Sequence, residues 1–259
     1  MEYGLLSRLV RVRVTAVYAV TLVVVSTTLL TLGPDVQDRV ILHASTNLHN
    51  LSHGRLGTLI GSAFVIDAGP VYLWLPGLVC LLGLAELLWR SGRLVVAFTV
   101  GHIGATLLVA VGLSAAVELA WLPPTVARAT DVGMSYGAIA VLGALTAAMP
   151  RRWRPIWIGW WLAVGVAVVV TSTDFTDAGH LVALLLGMVV ATRFGRPQPW
   201  THARLALLAV AAPFGYLILV TAGASSVGPT AAGVVGALLG VGWRFRLSGP
   251  TRSTGALTG

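Results

Sequence analysis

Two side chains in this sequence have the chemistry of a nucleophile and its base: Ser135 and His180. A serine hydroxyl attacks poorly until a base takes its proton, and imidazole is the usual base. Forty-five residues separate the two, so the elements that carry them must bring them to one place. A helix N-terminus near Ser135 would add positive potential where a tetrahedral oxyanion forms.

Those elements lie in lipid. The chain has 259 residues, of which 56% are hydrophobic and 10% charged, whereas a soluble domain carries about a quarter charged residues. With a mean hydropathy of +0.86, so few charges exclude a water-facing surface for most of the chain. The fold class expected is an all-α polytopic membrane helix bundle. All 17 basic residues are arginine, a coding bias that points to a GC-rich, bacterial genome. The net charge of +8 fits arginine-rich cytoplasmic loops, so no nucleic-acid partner is expected. The single cysteine, Cys80, lies in an apolar run and has no partner for an intrachain disulfide.

A crossing helix needs about 20 apolar residues. Eight candidate spans follow: Val14–Leu32, Val71–Leu88, Leu94–Val117, Ser135–Met149, Pro155–Thr171, His180–Thr192, Leu205–Ala222 and Ser226–Trp243. The first is too long for a signal-peptide core and reads as a retained helix. Fourteen of the 17 arginines flank one set of span ends, from Arg8, Arg11 and Arg13 to Arg244, Arg246 and Arg252; only Arg39, Arg55 and Arg128 lie on the other side. The acidic residues Asp35, Asp38, Asp67, Glu118, Asp131, Asp174 and Asp177 fall on that arginine-poor side. The expected location is therefore the cell membrane, multi-pass, with both termini cytoplasmic. The loop from Gly33 to Pro70 is too apolar for a linker and reads as amphipathic segments in the outer interface.

On this topology the fourth and sixth spans both run inward, which places Ser135 and His180 at similar outer depths. His180, Ala183, Gly187 and Ala191 share a small-residue face that favours close helix association in lipid. On the fourth span, Gly133, Gly137, Ala140 and Ala144 lie mostly opposite Ser135, while Ala138 and Leu142 share its face. Contact between the two helices is expected at Ala138 and Gly187.

Three segments resemble rhomboid intramembrane serine proteases. GMSYGAIAVLGAL, from Gly133, is similar to the family's fourth-helix pattern GxSGAIFGLLGAL, keeping Gly133, Ser135, Leu142, Gly143, Ala144 and Leu145. HLVALLLG, from His180, resembles the sixth-helix HLGGLLAG. Arg55-Leu56 with Thr58, then Ser62-Ala63-Phe64-Val65, resembles WRLxTSAFVH with a few residues inserted. The resemblance implies a six-helix core over residues 1–200, two added helices over 201–246 and a cytoplasmic tail over 247–259. It implies a Ser135–His180 dyad cleaving transmembrane protein substrates; no cofactor and no metal are expected.

The chain also departs from the pattern. Tyr136 replaces the glycine after the serine, Ile66 replaces a histidine, and Val182 and Ala183 replace two glycines. The second-helix histidine and asparagine that bind the oxyanion in many members fall near Val71 and Leu75, where neither residue occurs. Loss of one oxyanion donor costs about 10²–10³ in rate. The alternative is therefore an inactive relative that binds or escorts transmembrane clients.

Other side chains have plainer readings. Ser135 could be only an N-cap, and so could Asp177, which could instead orient His180; the cap is favoured. Tyr136 could stack on His180 or donate to an oxyanion, although an interfacial tyrosine is commoner. Asp131 reads as a charge at the outer surface. His102 lies too deep to join Ser135, and between Gly101 and Gly104 it suits a hydrogen bond across helices. His49 and His53 have zinc-like spacing, with His43 in the same loop but no fourth ligand evident. Glu86, beside Arg90, reads as a local ion pair.

Topology is checked with reporter fusions. Fusions after Arg93, Arg154 and Arg204 should report cytoplasm, and those near Asp35, Thr125 and Asp174 the opposite side. A cytoplasmic signal at Asp174 would remove Ser135 and His180 from a shared depth.

Overall fold

A computed structural model of the chain describes residues 10–66, 71–172, 174–220 and 226–247. Arg8, Asp67, Pro70, Ala222, Arg252 and the tail from 248 onward lie outside the described residues. The long helices are α1 (Arg13–Leu32), α5 (Val71–Trp89), α6 (Ser91–Glu118), α7 (Ser135–Ala144), α8 (Arg154–Thr171), α9 (Phe175–Ala191), α10 (His202–Val220) and α11 (Val227–Leu247). Between α1 and α5 the first loop holds three short helices, α2 (Pro34–Ala44), α3 (Leu48–Ser52) and α4 (Thr58–Gly61). Helices α1, α5, α6, α8 and α10 are long and apolar enough to cross a membrane. The helices at Ser135–Ala147, Phe175–Ala191 and Val227–Trp243 are also apolar but shorter.

The sixth span does not begin at His180. It begins at Phe175, because the Asp174 side chain caps it by accepting from the Thr176 N–H at 2.9 Å. The polar, small run Thr176-Asp177-Ala178-Gly179 imitates a loop in sequence, yet it forms the first turn. Asp174 is thus the cap expected of Asp177, and His180 sits in the second turn.

Helix α7 is the centre of the bundle, and every residue from Tyr136 to Ala144 is buried. Lipid tails are as apolar as the side chains, so helix association here depends on close van der Waals packing. Ala140 is held between α6 and α9. A Cβ added at Gly101 would overlap the Ala140 methyl, and one at Gly187 would overlap the Ala140 carbonyl. One turn on, Gly143 lies against the Leu184 carbonyl of α9. The small-residue stripe therefore makes the contact expected of Ala138. At 100° per residue, Tyr136, Ala140 and Gly143 share one face, and Ala138 lies about 160° from Tyr136.

The same device joins the last two helices to the rest. α10 packs on α5, where Gly77 accepts the Phe214 ring. α11 packs on α8 with Gly159 against Gly236 and Gly240 against the Pro155 carbonyl.

At the arginine-rich end, Glu86 makes no ion pair among the described residues. Its buried carboxylate accepts from the N–H groups of Val14 and Thr15 at 3.1 and 2.9 Å. The hydroxyls of Thr15 and Ser91 also donate to it, at 2.7 and 2.6 Å. A helix N-terminus leaves N–H groups without intrahelical acceptors and favours a negative charge. One side chain of α5 thereby ties down the starts of α1 and α6.

Gly187→Ala should lower the melting temperature in detergent, and Gly187→Leu should lower it further. Overpacking of this kind costs about 1–3 kcal/mol. Gly112→Ala in α6, where an added Cβ meets nothing within 4 Å, should melt like the wild type. If Gly187→Leu also melts like the wild type, α7 and α9 do not pack through this contact.

Candidate functional site

The first loop fixes the approach to Ser135. Asn50 is buried; its side-chain amide donates to the carbonyls of Leu42 and Ser45 at 3.1 and 2.8 Å. Its own N–H donates to the Asn47 side chain at 2.8 Å, and Arg55 donates to its oxygen at 3.2 Å. This folded loop then grips the segment before α7. The Asp131 N–H donates to the Ser45 hydroxyl at 2.8 Å, and the Thr46 N–H donates to the Asp131 carbonyl at 2.9 Å. The Gly133 N–H donates to the Ser62 carbonyl at 2.8 Å. Gly133 has φ +120°, which L side chains rarely adopt, so a glycine two residues before Ser135 is a backbone requirement.

Asp131 lies half-buried in the loop ahead of α7. Burial pushes its carboxyl up to about 7, and the nearby Asp174 charge adds to the shift.

Ser135 is the first residue of α7 and is half-buried. The capping position belongs to Met134, and no side chain caps the helix, so Ser135 is not the N-cap. Among the described residues its hydroxyl has no hydrogen-bond partner. His180, 6% exposed, lies one helix away, and among the described residues neither ring nitrogen has a hydrogen-bond partner. Its Nδ1 is 3.8 Å from Asp177 Oδ1, beyond hydrogen-bond reach.

Tyr136 is the α7 side chain that meets His180. The two rings pack edge to face, with centroids 5.2 Å apart and planes at 79°. Gly179 of α9 lies directly against the same ring, and a Cβ there would overlap the phenol hydroxyl. The helical arithmetic that aims Tyr136, Ala140 and Gly143 at α9 turns Ser135 about 100° away. Tyr136, Asp177 and His180 are all buried, and among the described residues the phenol oxygen, both carboxylate oxygens and both imidazole nitrogens lack hydrogen-bond partners. At the start of α5, Val71 and Leu75 offer no polar side chain for an oxyanion.

His102 has a separate role. Its Nε2 lies 3.1 Å from the Ser62 hydroxyl, with both residues buried, and its ring stacks on Phe98 at 6.1 Å. Nearby, the Tyr18 hydroxyl donates to the Ala63 carbonyl at 2.6 Å. These contacts fasten the Ser62–Phe64 turn to α1 and α6. The partner of His102 comes from the first loop, 40 residues away in sequence. Of the loop histidines, the His43 ring nitrogen contacts the Arg39 carbonyl and that of His53 the His49 carbonyl, each at 2.7 Å. Among the described residues no group of three or more His, Cys, Asp or Glu could hold a metal ion.

Residues 9–199 match the family model described as rhomboid-like protein, a stretch ending before α10. No curated protein and no solved structure matches the chain.

Proposed function

This chain belongs to the rhomboid-like protein family, and on that premise we propose that it holds or escorts transmembrane segments of other membrane proteins without cleaving them. The observation that carries this reading is Tyr136. Where the protease pattern has a glycine, a buried phenol fills the space beside His180. The base is thereby engaged by a ring edge, and no hydrogen bond links it to Ser135. The absence of a polar side chain at Val71 or Leu75 supports the same reading, because an oxyanion there would gain no side-chain donor. The protein acts in the cell membrane, with both termini in the cytoplasm as the arginine distribution directs.

A second reading, an intramembrane serine protease, is favoured by the position of Ser135. It opens α7 and is half-exposed, and first-turn N–H groups lack intrahelical acceptors and suit an oxyanion. In that reading His180 takes the Ser135 proton and the oxygen attacks a peptide carbonyl. The amine leaves with that proton, and water then hydrolyses the acyl-enzyme. Asp177 would orient the imidazole, and Tyr136 would first have to leave it.

The test reconstitutes the full chain in vesicles with dye-labelled single-span helices, following association by energy transfer and cleavage on gels. A fluorophosphonate probe is applied in parallel. The expected result is association without cleavage or labelling, unchanged by Ser135→Ala or His180→Ala. Cleavage or labelling that both variants abolish would establish the protease reading instead. Ser135 and His180 would then behave as one strongly non-additive unit.

A further inference from the structure

Helices α8, α10 and α11 surround an open cavity of about 940 Å³ where α8 and α10 meet only sparsely. Its wall is almost wholly apolar and includes Trp153, Trp157, Trp160, Trp161 and Trp200. These are five of the nine tryptophans in the chain, far more than a belt scattered around the bundle would place at one spot. Arg152 also lines the cavity, with its guanidinium 5.9 Å from the Trp153 ring centroid, and the exposed Arg151 adjoins it. No acidic residue lines it. Arg154, by contrast, is committed to the Ala147 and Met149 carbonyls.

The space available also bears on the occupant. Size argues against a client helix: a span about 11 Å across and 30 Å long needs about 2,900 Å³, roughly three times the space present. Flexible acyl chains below an acidic headgroup fit the volume, the wall and the charge.

We propose that this cavity binds an anionic phospholipid. Its acyl chains lie against the tryptophans, and its phosphate lies at Arg152 and Arg151. Basic residues near an anionic membrane surface favour acidic headgroups in the same way.

The test is tryptophan fluorescence of the full chain in phosphatidylcholine vesicles containing brominated phosphatidylglycerol or brominated phosphatidylcholine, since bromine quenches indoles at close range. Half-maximal quenching should need about fivefold less brominated phosphatidylglycerol for each arginine engaged. Arg152→Glu, at an exposed position, should fold normally and reduce that preference. The double variant Arg151→Glu with Arg152→Glu should abolish it. Ala212→Phe, which fills the cavity, should weaken quenching by both lipids, and its melting temperature serves as the folding control. Equal quenching by both lipids in the wild type would reduce the cavity to a surface wetted by bulk lipid. A preference that survives the double variant would move the headgroup elsewhere. Quenching by neither lipid would leave the cavity to a protein segment. Each of these three outcomes overturns the proposal.

Discussion

Ala140, held between Gly101 on one side and Gly187 on the other, is the contact on which the rest of the bundle depends. Backbones can come this close only where side chains are absent, and lipid supplies no other strong force to draw the helices together. Once Ala140 is fixed, the rotation of α7 is fixed, because Gly143 must lie under Leu184 and Tyr136 must meet Gly179. Helical geometry leaves no freedom to turn Ser135 to the same face. The packing that makes the bundle stable thus also decides which side chain faces His180.

Polar groups follow a second constraint. A backbone or side-chain group without a partner in lipid costs several kcal/mol, and most of the buried polar groups here are satisfied by building something. Glu86 joins three helices through four hydrogen bonds. Asn50 and Ser45 fold the first loop and fasten it to the segment ahead of α7. Ser62 and His102 tie that loop to α6. Against this background Tyr136, Asp177 and His180, which lie together where α7 meets α9, have polar atoms without hydrogen-bond partners among the described residues.

Much of this was legible in the sequence. Long apolar runs fixed the number and order of the main helices, and the motifs at Gly133 and His180 identified the family. The small stripe on α7 was visible too, but its partner was not. Periodicity gives the faces of one helix and says nothing about which neighbour each face meets, so Ala138 was assigned the contact that Ala140 makes. The α9 start is hidden in the sequence because Thr176 to Gly179 has loop composition, yet it forms the first turn behind the Asp174 cap. Glu86 is hidden for a related reason: Arg90 is its neighbour in sequence, whereas its donors Thr15 and Val14 lie 71 and 72 residues away. The Tyr136 substitution was plain, but its consequence depended on the packing of Gly179.

The central claim is that Tyr136, and not Ser135, engages His180. A double-mutant cycle on unfolding in detergent measures this directly, using Tyr136→Ala, Ser135→Ala and His180→Ala singly and in pairs. Tyr136 and His180 should couple by about 0.5–1.5 kcal/mol, as aromatic edge contacts do, while Ser135 and His180 should be additive. Coupling between Ser135 and His180 that exceeds the Tyr136–His180 value would contradict the account.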